Sequence, residues 1–212
     1  MVQQTPSDEH VRVPIEPAEP ATIVQQRRDL LKKINMIVPL FRKHEAFLRF
    51  MRTFEEVCLQ SHENVQLLIV MFLNENSDSK NDIALQQTLS IVNELNARYG
   101  GEFIKLSSIR GKFARAKALN YGMAQVETRE LLFFVDVDMV WTVDTLHRVR
   151  LNTVAGERVY FPIVFSQFDP AITYKMSVVP NHFLINDETG YWRVFGYGIM
   201  SAYKGDVEKV PT

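Results

Sequence analysis

Leu131-Leu132-Phe133-Phe134-Val135 is an unbroken apolar run that delivers two carboxylates, Asp136 and Asp138, into a further apolar stretch, Met139-Val140-Trp141. Successive residues of an extended chain face opposite sides, so a strand with no polar alternation must be covered on both faces. That is the situation of an interior strand in an open α/β sheet, where ligands bind outside the carboxyl ends of the strands. Read as a strand over residues 131–138, the segment places the two acids at that end. Residues two apart point the same way, so Asp136 and Asp138 would both address one cation or one polyhydroxy ligand. Asp-x-Asp also occurs in many turns, and its meaning depends on what surrounds it.

The surrounding sequence supplies such a sheet. Ile34-Asn35-Met36-Ile37-Val38 reads as a first strand stopped by Pro39. From His44, the residues Phe47, Phe50, Met51, Phe54, Val57 and Cys58 recur at helical spacing and predict a one-faced helix. A buried strand follows over 65–72, then a polar loop, then a helix over 82–99 whose stripe is Leu85, Leu89, Val92 and Leu95, closed by Gly100-Gly101. A short strand is expected over 103–106. The Ala-rich stretch 113–122 predicts a helix with two cations, Arg115 and Lys117, near its start. Cations oppose the positive end of the helix dipole, so the pair reads either as a solvated basic face or as contacts to phosphate. A last helix is expected over 143–152. The alternation of strands and helices predicts an α/β fold, mostly parallel, with helices on both faces.

Charge and composition narrow the ligand classes. A net charge of −1 argues against a nucleic-acid or anionic-membrane binder, which would carry a basic excess or stripe. No run of about 18 apolar residues is present and the N-terminus is polar, so neither anchor nor signal peptide is expected within this sequence. Residues 1–33 begin with a Pro-, Glu-, Gln- and Thr-rich segment and read as a flexible stem, leaving 34–212 as the folded domain. The single cysteine, Cys58, excludes an internal disulfide and a cysteine-based zinc site. His10, His44, His62, His147 and His182 show no metal-ligand spacing; only His182 falls near a candidate ligand side.

Beyond Gly156 regular periodicity gives way to aromatics and glycines: Tyr160-Phe161-Pro162, Phe165-Ser166-Gln167-Phe168-Asp169-Pro170, Thr189-Gly190-Tyr191-Trp192-Arg193 and Phe195-Gly196-Tyr197-Gly198. Aromatic faces meet the C–H faces of sugar rings and glycines permit close backbone approach, so the stretch suits either a sugar site or a β-rich core edge.

These segments, with Ile37-Val38-Pro39-Leu40-Phe41-Arg42, Phe113-Ala114-Arg115-Ala116-Lys117-Ala118-Leu119-Asn120 and Leu132-Phe133-Phe134-Val135-Asp136-Val137-Asp138, together resemble the chondroitin N-acetylgalactosaminyltransferase and chondroitin synthase family, related to the β4-galactosyltransferases. The resemblance implies a GT-A (nucleotide-diphospho-sugar transferase) fold and inverting, metal-dependent transfer of N-acetylgalactosamine from its UDP form to a glucuronic-acid-terminated glycosaminoglycan. It implies Asp138 as ligand of Mn²⁺ or Mg²⁺, and Asp136, Pro39, Leu40, Arg42, Arg115 and Lys117 on the donor side. Trp192, Arg193, Gly196 and Gly198 would face the acceptor. In the family a Gly-Trp-Gly-x-Glu-Asp motif supplies the general base and a later His binds metal. Neither is present here, so the base is expected beyond Thr212. The resemblance further implies a type II Golgi membrane protein in the full-length family and admits a hetero-complex with a related synthase subunit. The alternative expectation is a non-catalytic isoform or partner subunit that keeps only UDP-sugar and metal binding.

Overall fold

The computed structural model describes residues 29–75, 82–169, 185–193 and 198–210. In chain order the elements are β1 (Ile34–Leu40), α1 (His44–Phe54), a π-helical turn (Glu55–Leu59), β2 (Val65–Leu73), α2 (Ile83–Tyr99), β3 (Ile104–Arg110), α3 (Arg115–Met123), β4 (Leu131–Phe134), α4 (Val143–Asn152), β5 (Phe165–Gln167), β6 (Gly190–Trp192), β7 (Met200–Tyr203) and α5 (Lys204–Val207). Of the expected stem, only its last residues, from Asp29, belong to the described part.

The apolar runs become one five-stranded sheet in the order β3-β2-β1-β4-β7. β1 is parallel to both β2 and β4, β3 is parallel to β2, and β7 is antiparallel to β4. All of β1 and all of β2 except Gln66 are buried, as interior strands require, whereas the edge strand β3 is largely accessible beyond Ile104.

Alternation along the strands divides the core. Met36, Val38, Leu67, Ile69, Leu131 and Phe133 face the layer containing α1, α2 and α4. Ile37, Leu68, Leu132 and Phe134 face the other side, and Val70 and Phe72 meet Ala118 of α3 there. That helix rides close on the sheet because Gly122 has no side chain: a Cβ there would come within 2.5 Å of Ile37 Cγ2. α2 is capped as its sequence suggests, with Asp82 accepting from the Leu85 amide at 3.0 Å and Gly100 in the left-handed region at φ 69°.

Several boundaries differ from expectation. Pro39 does not stop β1, which continues to Leu40. Amides along a strand alternate sides; Ile34 donates towards β2 (Asn64 O, 2.9 Å), so the odd-numbered positions face β4. Pairing with β4 ends at Ile37↔Phe134, and the missing N–H of Pro39 falls where no strand would receive it. The helix from His44 widens into a π turn, with the Gln60 amide reaching Glu55 O at 2.9 Å, before Cys58 and Leu59 enter the core. β3 runs to Arg110, beyond the expected end at 106, because β2 offers it partners as far as Leu73.

The largest correction concerns the segment with which the sequence is most distinctive. β4 ends at Phe134 instead of continuing to Asp138. Val135 still donates to Ile37 O at 3.1 Å, after which the Met139 amide closes back on Asp136 O at 3.2 Å. Val137 and Trp141 are tucked into the core, Trp141 against Phe50 at 4.7 Å between ring centroids. Burial of those two side chains pulls the backbone into a turn, and the acids therefore do not share one extended face.

Candidate functional site

β1, β2 and β3 succeed one another outward across the sheet, and the chain then crosses back to place β4 on the other side of β1. The strand order thus reverses between β1 and β4, which makes their carboxyl ends the place where such sheets bind ligands. The loops that leave these two ends carry Arg42, Asp136 and Asp138 of the expected donor- and metal-side residues.

After β1, Pro39 and Leu40 remain in the strand, with Leu40 buried, so they support the site from below. The chain turns sharply at Arg42, a non-glycine residue at φ 60°, with two short-range bonds of 2.9 Å, Lys43 N to Phe41 O and His44 N to Arg42 O. A left-handed residue of this kind costs about 1–2 kcal/mol and persists only where its surroundings hold it. Here the Arg42 guanidinium donates to Asn74 Oδ1 at 3.2 Å and lies over the Phe41 ring, 4.8 Å from its centroid. Arg42 is thereby committed to the end of β2. The turn aims the next residue, Lys43, at the β4 loop, where its Nζ meets Asp138 Oδ2 at 2.6 Å.

Asp136 has a different partner. Arg115, first residue of α3, donates through Nε to Asp136 Oδ1 at 2.7 Å and through Nη2 to the carbonyl of Gly198. The helix has no side-chain N-cap at Ala114 and begins with a cation, an arrangement opposed by its own dipole. Asp136 supplies the negative charge that offsets both. Gly198 closes the cluster from the third side: a Cβ there would lie 3.2 Å from Asp136 Oδ2. Three segments far apart in sequence therefore meet at one carboxylate. Lys117 is exposed on α3.

Beside this cluster is an aromatic floor on which sequence reasoning laid no weight. Phe113, 45% exposed, stacks on Phe41 with centroids 5.6 Å apart and an interplanar angle of 11°, and meets the edge of Phe72 at 5.2 Å. Lys43 was likewise not singled out. The available hint was position alone, since Phe41 and Lys43 immediately follow the first strand and Phe113 stands just ahead of the basic helix.

The expected acceptor side is only partly joined to these groups. Gly198 touches the Asp136 cluster, and Gly196 and His182 lie outside the described residues. Trp192 and Tyr191 are exposed on β6, which pairs antiparallel with β5. Phe165 meets Trp192 edge-on at 5.3 Å, and Arg193 donates from its backbone to Val164 O at 2.9 Å and from its side chain to Ser166. These contacts hold Trp192 and Arg193 within the small two-stranded sheet, and no hydrogen bond or ring contact joins either to the Asp136 cluster among the described residues.

The donor set at this site is sparse. Among the described residues no group of three or more His, Cys, Asp or Glu could hold a metal ion. Asp138 offers one exposed carboxylate, which fits a hard divalent cation held through one or two carboxylates, waters and a ligand's phosphates better than an all-protein cage. Cys58 takes no part: burial pushes its thiol up to about 12, partly offset by the neighbouring Trp141 indole. That indole N–H has no conventional hydrogen-bond partner, the thiol beside it being a weak sulfur acceptor.

Comparison with known proteins supplies what geometry does not. The family described as Chondroitin N-acetylgalactosaminyltransferase matches residues 3–211. Chondroitin sulfate synthase 3 of Homo sapiens is 37% identical over 177 residues, covering 83% of this chain and 20% of that protein. Chondroitin sulfate N-acetylgalactosaminyltransferase 1 of Homo sapiens is 37% identical over 178 residues, 82% of this chain and 32% of its own length. The chain thus spans between about a fifth and a third of these curated relatives. Among solved structures, galactosyltransferase LgtC in complex with donor and acceptor sugar analogues superposes with a TM-score of 0.44 at 10% identity, over 84% of this chain and 60% of that one.

Proposed function

The chain belongs to the chondroitin N-acetylgalactosaminyltransferase family, and from that membership we propose that it forms the donor-binding part of a UDP-sugar-dependent glycosyltransferase of chondroitin biosynthesis, of GT-A type. The whole protein would transfer N-acetylgalactosamine to a glucuronic-acid-terminated acceptor in the Golgi lumen. Among the described residues no helix is long and apolar enough to cross a membrane.

The observation that carries the reading is the convergence of Arg115 and Gly198 on Asp136, with Asp138 two residues on, where the strand order reverses. Asp138 would hold Mn²⁺ or Mg²⁺, which when bound neutralises negative charge developing on the departing diphosphate. Arg115 fixes Asp136 against the Gly198 turn, so the carboxylate is pre-oriented for a donor hydroxyl. The exposed face of Phe113 offers a stacking surface for the nucleobase, and Lys117 a solvent-facing positive charge on the helix that follows. Trp192 and Arg193, exposed on and beside β6, and Gly198 at the Asp136 cluster are assigned to the acceptor side. No Asp or Glu of this chain is assigned as the acceptor's general base.

Calorimetric titration with UDP in the presence and absence of Mn²⁺ tests the proposal. The expected result is metal-dependent UDP binding that Asp138→Ala abolishes. A folded protein with no metal-dependent heat, or an Asp138→Ala variant indistinguishable from wild type, refutes it.

A further inference from the structure

We propose that Lys43 is the resident counter-ion of Asp138 and yields it to a divalent cation most readily when a diphosphate is present to receive the freed ammonium, so that metal and nucleotide bind as a coupled pair. The inference rests on the metal and donor reading above and adds to it a residue and a regulatory consequence.

Lys43 Nζ stands 2.6 Å from Asp138 Oδ2. A divalent cation of this class binds carboxylate oxygen at about 2.0–2.6 Å, so on Asp138 it would compete with the ammonium for the same negative charge, and their like charges repel. Metal binding would therefore weaken or displace the Lys43 contact. The displaced side chain cannot travel far, because its backbone is pinned by the strained turn at Arg42 and by the start of α1. It has no second carboxylate waiting in the β4 loop, where Asp136 is held by Arg115.

Of the three cations that the family resemblance implies on the donor side, Lys117 faces solvent and the other two have protein partners. Arg42 is bound to Asn74 and lies over the Phe41 ring, while Arg115 is bound to Asp136 and Gly198. Lys43 differs in that its partner is the group a metal would claim. A diphosphate bound together with that metal would offer anionic oxygens to the freed ammonium, and lysine meets phosphate well as a mobile point charge. By linkage, whatever nucleotide does for metal affinity, metal does equally for nucleotide affinity.

The pair is accessible, with side-chain exposures of 58% for Lys43 and 46% for Asp138, so its hold on the carboxylate is modest. An exposed ion pair of this kind corresponds to a change of about two- to five-fold in an equilibrium constant. The test measures Mn²⁺ affinity by calorimetry, with and without UDP, in the full chain and in Lys43→Gln, Lys43→Arg and Asp138→Ala. Lys43→Gln is expected to bind Mn²⁺ about two- to five-fold more tightly than wild type without nucleotide and to show a smaller tightening when UDP is added. Lys43→Arg keeps a cation on Asp138 and should stay close to wild type, which separates the charge from any effect on the turn. Unchanged or weaker Mn²⁺ binding in Lys43→Gln, or an unaltered UDP effect, overturns the role of Lys43 while leaving metal-dependent UDP binding intact. Wild type indistinguishable from Asp138→Ala, with or without UDP, removes the metal site itself and this inference with it.

Discussion

Replacing Arg115 by alanine is the most direct test of whether the cluster around Asp136 is an energetic unit. The change removes the 2.7 Å bond from Nε to Asp136 and the donation from Nη2 to Gly198 O. In a shielded setting hydrogen bonds to charged groups contribute about 1.5–3 kcal/mol each. Here the side chains of Arg115 and Asp136 are 34% and 39% exposed, so water reaches both partners and screens the charge. That brings the expected loss to about 1–2 kcal/mol for both bonds together. Part is returned, since removing a cation from the start of α3 relieves about 0.3–1 kcal/mol of opposition from the helix dipole. The net destabilisation should be about 1 kcal/mol, seen as a lower urea midpoint at unchanged slope. The stronger readout is a double-mutant cycle with Asp136→Ala, in which the helix-dipole contribution largely cancels. A coupling of about 0.5–1.5 kcal/mol is expected for groups in direct contact. UDP affinity in the presence of Mn²⁺ should fall in the same variants, because Asp136 loses its fixed orientation. A coupling below about 0.3 kcal/mol, the scatter of independent sites, would falsify the claim that Arg115 positions Asp136.

The remaining expectations concern the core, the aromatic floor and pH. Arg150 is 1% exposed and donates to Lys32 O at 2.8 Å, Glu63 Oε2 at 2.5 Å and Asn64 O at 3.3 Å. Arg150→Met should therefore cost about 3–5 kcal/mol in urea unfolding by leaving Glu63 only the longer contact to His147 at 3.4 Å, and Glu63→Gln in the same chain should recover part of it. Phe113→Ala should weaken UDP binding by about 1–3 kcal/mol while leaving Mn²⁺ binding without nucleotide unchanged; equal loss of both would mean that Phe113 supports the fold instead of the base. The Cys58 thiol is raised from 9.0 to about 12 in the folded chain, chiefly by burial. The unfolded chain then releases this proton first, so the contribution is complete below pH 9.0 and is lost as pH rises towards about 12. Relative to Cys58→Ala, wild-type stability should decline by about 1.4 kcal/mol per pH unit within that window, and parallel pH curves would contradict the assignment.

Much of this architecture is legible in the residues because each element's burial leaves a periodic trace. The α2 boundaries follow from Asp82 and Gly100, one a side-chain acceptor for the first turn and the other free to take a positive φ. α4 over Val143–Asn152 matches its apolar spacing at Leu146 and Val149. Pro39 misleads because its cost depends on whether a neighbour needs its N–H, and a sequence does not show where β4 stops pairing. The end of β4 misleads for a related reason: hydrophobicity continues through Val137 to Trp141, but those side chains are buried from a turn instead of a strand.

The sequence by itself determined that Asp136 and Asp138 follow a doubly covered strand in an α/β sheet, because apolar runs and their spacing are local properties of the chain. Only the tertiary structure decided what each acid meets: Arg115 and Gly198 for one, Lys43 for the other. Those partners lie 21, 62 and 95 residues from the acids they approach and are brought there by sheet order and by one left-handed turn at Arg42. Ion pairs of this length leave no periodic imprint on sequence, since they depend on where separate loops emerge and not on the residues beside them.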